Sequence, residues 1–262
     1  MAQYSVNRQE HYGVTNKDLH EVMMFADKDG NIINSFGAAS NIPIAAGEVD
    51  GYGHINKFGA TNGDVTEGTV WDGNDGSVAY PYPADNVVTV ASLAEVGENV
   101  IVQGLDANFN EQTEVIAIGS TGLLTFSRIF RVQMESTTNT ADVTLTMGGV
   151  TAGVMLAGLA QSLMSVYTVP AGKTGYLLGL HLGSDKASTN SRMTYRLFCK
   201  TQTDGGVFRI KANLNAAGGA SLDIAYPVPL VFEEKTDIKV DVVAGQATQV
   251  SATFDIILVD NE

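Results

Sequence analysis

Several groups of residues have types suited to catalysis or ligand binding, and their spacing decides against most of them. Ala171-Gly172-Lys173-Thr174 ends like a phosphate-binding P-loop, in which glycine-rich backbone cradles phosphates ahead of a helix. The leading glycine of that pattern falls on Tyr167, and no helical spacing follows to aim an N-terminus at a phosphate. A turn is predicted instead. Asp106, Asn108 and Asn110 have the spacing of the first ligands of an EF-hand calcium loop. Glu111 replaces its turn glycine, however, and Ala117 its bidentate Glu. Asp27, Asp29 and Asn31 fail at the same positions, with Ile32 and Ala38, and Asp72, Asn74 and Asp75 are no better placed. His11, His20, His54 and His181 lack zinc-site spacing, and the lone Cys199 cannot build a multi-cysteine site. There is no G-x-S-x-G elbow, and a glycosidase pair could be drawn from any of 29 acidic residues. A non-enzymatic chain without metal or cofactor is expected.

The aromatic residues remain. Trp71, in Thr69-Val70-Trp71-Asp72-Gly73, reads as a packing aromatic or as a platform on which a sugar could stack. Tyr80-Pro81-Tyr82-Pro83 is held extended because each Tyr precedes a proline, and it either docks on a partner or bridges to the next strand. Together with Tyr4 and Tyr12, Trp71, Tyr80 and Tyr82 are the candidate interface residues.

Composition limits the partners. The chain of 262 residues carries 15 Lys and Arg against 29 Asp and Glu, a formal charge of −14. Only 17% of residues are charged, against roughly 25% in an average soluble domain, and 44% are apolar. Too apolar for an acidic disordered tail, the chain is also too acidic to track phosphates or anionic lipid. Residues 143–160 contain no charge, and their length is borderline for a spanning helix of about 20 residues. Gly148-Gly149 interrupts them and no basic residue flanks them, so two strands are predicted rather than a membrane span. The N-terminus lacks the pattern of a secretory signal, which implies synthesis in a cytosol.

The pattern that must position these residues is all-β. Asp27-Lys28-Asp29-Gly30 between apolar runs predicts a hairpin in an irregular N-terminal arm, residues 1–62. Strands then recur with turns every ten residues or so, including one long strand over residues 123–134. Met193, Tyr195 and Leu197 share a strand face, as do Phe208 and Ile210, and Val250, Ala252, Phe254, Ile256 and Leu258. Such period-two alternation marks antiparallel sheets with one buried face. Two antiparallel β-sandwich or jelly-roll-like domains are expected, residues 63–160 and 161–262, with a protease-sensitive joint near residues 159–165 and another cut in the 185–190 loop.

An ordered series of segments resembles virion structural proteins of tailed phages, marine ones above all. The segments are His54-Ile55-Asn56-Lys57-Phe58-Gly59, the Trp71 and Tyr80 segments above, and Val102-Gln103-Gly104-Leu105-Asp106-Ala107-Asn108. Phe126-Ser127-Arg128-Ile129-Phe130-Arg131 and Val166-Tyr167-Thr168-Val169-Pro170-Ala171-Gly172-Lys173-Thr174 follow. They span residues 54–180, and no single segment is diagnostic. The family supplies no catalytic residues, and its members are mostly particle components of unassigned position. The resemblance implies a virion setting. Acidity, low charge density and the lack of a long helix then favour a capsid decoration (cement) protein over scaffold, major capsid or DNA-contacting roles. Its partner would be the major capsid protein, and the protein itself a homo-oligomer such as a trimer. A tail or neck component, or a carbohydrate-binding virion module, are the alternatives.

Overall fold

A computed structural model describes residues 25–26, 32–33, 41–95, 97–185, 192–202 and 206–261. Tyr4, Tyr12 and the Asp27–Gly30 turn lie outside the described residues. Strands β1 (Phe25–Ala26) and β2 (Ile32–Ile33) pair antiparallel, as a hairpin over that turn requires. A single helical turn, α1 (Asn41–Ala45), closes on Gly47, whose N–H reaches Ile44 O with φ at +72°. These elements fall in one unit, and the sandwiches, from Ile55 within β3 (Tyr52–Ala60) onward, in another.

The fold is all-β and antiparallel, as the alternation predicts. In the first sandwich, one sheet has the order β11 (Val150–Met155), β10 (Val143–Met147), β5 (Asn86–Ser92), β8 (Thr121–Phe126). The facing sheet has the order β7 (Glu111–Ala117), β6 (Asn99–Leu105), β9 (Arg128–Met134). Val88, Val100, Phe126, Val132, Leu145 and Met155 are among the residues filling the space between them. The uncharged stretch at residues 143–160 supplies β10 and β11, joined at Gly148-Gly149, both at positive φ as a tight primed turn needs.

The second sandwich pairs β12 (Val166–Thr168), β17 (Thr236–Thr248), β14 (Arg192–Thr201) and β15 (Arg209–Ala217) with the sheet β16 (Leu222–Phe232), β13 (Lys173–Ser184), β18 (Val250–Asp260), β3 (Tyr52–Ala60). β4 (Val65–Thr69) also joins β17. The predicted faces of β14 and β18 are buried in this core. The face predicted from Phe208 and Ile210 is not: Ile210 is exposed, and β15 instead turns Ala212, Leu214 and Ala216 toward the core.

Two departures from the sequence reading matter for function. Residues 123–134 do not form one strand. Phe126 and Ser127 are both buried, which breaks the alternation, and Ser127 N–H donates to Leu105 O (2.7 Å) at a corner. The chain passes there from one sheet to the other, so Arg128 leaves the corner toward the second sandwich. The second departure concerns the connections. β4, inside the stretch expected to open the first sandwich, pairs with β17 of the second, and β3 with β18. The reason is edge length: β12 pairs only residues 237–239 of β17, and β4 pairs residues 241–243 and 248 of the edge left beyond it. The first sandwich is thus an excursion between β4 and β12. Residues 160–165, expected as an open joint, are stitched in: Met134 N–H donates to Ala160 O, Ser162 N–H to Val132 O, and Ser165 N–H to Val70 O. Among the described residues, no helix is long and apolar enough to cross a membrane.

Gly104 makes the corner possible, because a Cβ there would lie 2.0 Å from Arg128 O. Gly104→Ala is therefore expected to destabilise the protein by about 1–3 kcal/mol, the usual penalty of overpacking. Thermal unfolding followed by circular dichroism checks this; an unchanged melting temperature would show that the two strands do not approach so closely.

Candidate functional site

The two connections between the sandwiches, residues 70–85 and 156–165, meet in a junction where most polar and aromatic side chains of interest converge. Val70 N–H donates to Val240 O (2.9 Å), and Trp71 bridges Met164. Asp72 N–H donates to Leu163 O (2.9 Å) while Leu163 N–H donates back to Asp72 Oδ2 (2.8 Å). Asn74, also buried, donates to Thr69 O (2.8 Å) and accepts from Val78 N–H (2.6 Å), which folds the loop onto itself. Gly59 and Gly73 permit this closeness. A Cβ on Gly59 would lie 2.4 Å from Ser165 N and Val70 O, and one on Gly73 would lie 2.2 Å from the Trp71 ring.

Trp71 is 1% exposed and Tyr80 4% exposed. Neither ring therefore presents a face on which a sugar could stack; Trp71 has the packing role. Trp71, Tyr80 and Tyr82 follow one another edge to face, with centroids 5.1 and 4.8 Å apart. Tyr80 Oη donates within reach of Ile129 O (3.3 Å) and Ala152 O (3.0 Å), tying the Tyr-Pro segment to the first sandwich. That segment is an internal bridge.

Asp237 on β17 is one of the polar groups closed off from solvent, at 0% exposed. Arg128 from the first sandwich grips it in two places, Nε to Oδ1 at 2.7 Å and Nη2 to Oδ2 at 3.0 Å. Lys200 Nζ stands 2.8 Å from Oδ2, and Thr168 Oγ1 donates to Oδ1 (2.6 Å). Burial alone would raise the Asp237 pKa, but the hydrogen bond and charge of Arg128, with Lys200 and Thr168, hold it below the usual carboxylate value. Both cations also lie over the Tyr82 ring, at 5.5 and 5.1 Å. No motif in the sequence marks Asp237.

A second pair of titratable groups is buried nearby. Lys57 Nζ donates to Phe130 O, and burial with the neighbouring Arg131 charge pushes its pKa down to about 7. Burial pushes Asp72 up to about 8, although the Leu163 N–H and Lys57 oppose the rise. A cleft of about 500 Å³ opens beside Asp72, with Asn62, Trp71, Asp75, Asp142, Thr144 and Thr151 among its walls.

The remaining sequence candidates have local roles. Asp106 accepts from the N–H groups of Asn108 and Asn110, both at 2.8 Å, and from Asn110 Nδ2, so its carboxylate caps its own loop. Lys173, from the P-loop-like segment, opens β13 and pairs with Asp260 at 2.7 Å. Among the described residues, no group of three or more His, Cys, Asp or Glu side chains could hold a metal ion.

No family model matches the sequence, and no curated protein matches it significantly. Solved structures give distant likenesses, among them structures of infectious bursal disease virus. The structure of its Gx strain is 15% identical at a TM-score of 0.23, over 67% of this chain and 55% of that one. The crystal structure of its viral particle is 13% identical at 0.23, over 80% and 70%. Its VP2 subviral particle is 13% identical at 0.19, over 81% and 77%. The chain thus spans little more than half the length of the first of these. TM-scores this low do not establish a shared fold.

Asp237→Asn leaves two cations at the junction without their carboxylate, so it should destabilise the protein by about 3–5 kcal/mol in denaturant unfolding at neutral pH. Because the folded pKa is depressed, this stabilisation is present above the unfolded carboxylate value and is lost as acid protonates Asp237 in the fold. Asp72 behaves oppositely. Its folded pKa is raised, so between 3.8 and about 8 the folded state holds the extra proton and stability falls as pH rises. Asp72→Asn is expected to flatten this decline; a variant with the wild-type pH profile of melting temperature would contradict it.

Proposed function

We propose that the protein is a non-enzymatic structural component of a tailed-phage virion, a decoration protein that binds the assembled capsid shell and stabilises it. The observation that carries this reading is an uncovered side of the second sandwich. β15 and β16 are sheet edges joined by a short turn around residues 218–219, and among the described residues each pairs with one strand. Their inward residues, including Leu214, Ile224, Tyr226 and Leu230, are only half-buried against the core. Val228 on β16 is 81% exposed, Val231 three residues on is exposed as well, and so is Ile210 on β15. Apolar surface on a well-packed body supports association with a partner.

The edge also limits what kind of association is supported. Pro227 and Pro229 lack the N–H groups that strand addition would use, and the β13–β16 register shifts around them. A rigid surface contact with a repeating shell, or with further copies of the chain in an oligomer, fits better than strand exchange. The net charge of −14 adds repulsion from packaged DNA and from neighbouring virions. Stabilisation would follow from mass action: a protein that binds only the expanded shell favours that state by RT ln(1 + [L]/Kd). The segments resembling phage virion proteins supply the setting.

Particles lacking the protein should release DNA at a lower temperature than complete ones. Unchanged release would remove stabilisation as its role, and a faint rather than abundant band on a gel of purified virions would point to the tail or neck. Val228→Asp, at a position the fold does not bury, should leave unfolding unchanged and weaken co-sedimentation with expanded shells by about tenfold or more, as expected for losing a central apolar contact.

A further inference from the structure

Two buried polar atoms, on residues that line the cleft beside Asp72, are left unmet by the protein itself. Asp72 Oδ2 accepts from Leu163 N–H, but Asp72 Oδ1 is buried without a partner, and so is Trp71 Nε1. Both residues line the cleft. A buried donor or acceptor left unpaired costs about 1–3 kcal/mol, so two of them on one wall call for an occupant.

The walls select its chemistry. Asp75 and Asp142 stand at the cleft, and no Lys or Arg lines it, which disfavours a carboxylate or phosphate ligand. A cation would suit those carboxylates, yet it could not accept from the indole N–H, which is a donor only. Asp142 already accepts from Ala157 N–H (2.8 Å), and burial keeps the Asp72 carboxyl protonated at neutral pH. A hydroxyl group both donates and accepts, so it can meet Trp71 Nε1 and Asp72 together. Thr144, Thr151 and Asn62 offer further hydroxyl and amide partners, while Val78, Pro81 and Val154 provide apolar contact for C–H faces. The volume of about 500 Å³ falls within the range of roughly 300–1,000 Å³ found for small-molecule sites.

We propose that this cleft is a binding site for a neutral, hydroxyl-rich ligand of sugar-ring size, held by Trp71 Nε1 and Asp72 Oδ1. The ring is gripped at its edge by hydrogen bonds, because the Trp71 face is packed away. The proposal does not depend on a virion role and would hold for the same fold elsewhere.

Trp71 is the single tryptophan, so its fluorescence and its indole N–H resonance both report on the site. Glucose, galactose and N-acetylglucosamine, with maltose and lactose as two-ring probes, are titrated into the full chain. At least one should produce a saturable change in Trp71 emission and a shift of the indole N–H. Thr144→Val combined with Thr151→Val keeps the β-branched shape that strands favour and removes two hydroxyls from the wall. This variant should unfold as the wild type does but bind the same sugar about tenfold more weakly. No response to any of these sugars overturns the proposal in favour of a water between the two atoms. A response to spermidine in their place overturns it in favour of a cation, and undiminished sugar binding by the double variant overturns the placement.

Discussion

The grip of Arg128 on Asp237 is the constraint around which the rest of the molecule is arranged. It joins the first sandwich to an interior strand of the second through two short hydrogen bonds onto a fully buried carboxylate. A buried ion pair adds little net stability over well-packed apolar residues, since desolvation offsets its attraction. Its value lies in geometry. A bidentate guanidinium–carboxylate contact is satisfied in one relative orientation, and the surrounding Lys200, Thr168 and Tyr82 are placed to require that orientation.

The segments that stood out in order along residues 54–180 meet at this grip. Gly59 lies against Ser165, Gly73 against Trp71, and Gly104 against Arg128; Tyr80 reaches Ile129, and Thr168 reaches Asp237. Apart from Ser165 and Asp237, these residues fall in those segments, and all of them build the junction. In this chain the segments lock two sandwiches together, with small residues at the close approaches and aromatic rings filling the gaps.

Much of the fold was legible in the sequence, and the failures have physical causes. The faces of β14 and β18 could be read because one side of each strand packs on a core and alternation survives along the whole strand. The break at Ser127 could not, since a corner formed by two successive buried residues looks like a continuous apolar run until its partner Gly104 is in place. Asp237 was invisible for a different reason. In Thr236-Asp237-Ile238-Lys239 it reads as a solvent-facing strand position, and its partner stands 109 residues away. The membership of β3 and β4 was equally hidden, because nothing local reports the length of edge left open on β17. Trp71 and Asp72 stood out in sequence, but which of their atoms lack partners only the folded junction reveals.

The excursion of the first sandwich between β4 and β12 also sets an order of events during synthesis. Residues 86–155 contain every strand of that sandwich, so it can close as soon as it leaves the ribosome. β3 and β4 emerge earlier but find their partners only in β17 and β18, at the far end of the chain. Such long-range pairings form slowly because loop closure must precede their gain. The half that bears the exposed valines of β16 is therefore completed only after β17 and β18 have been made.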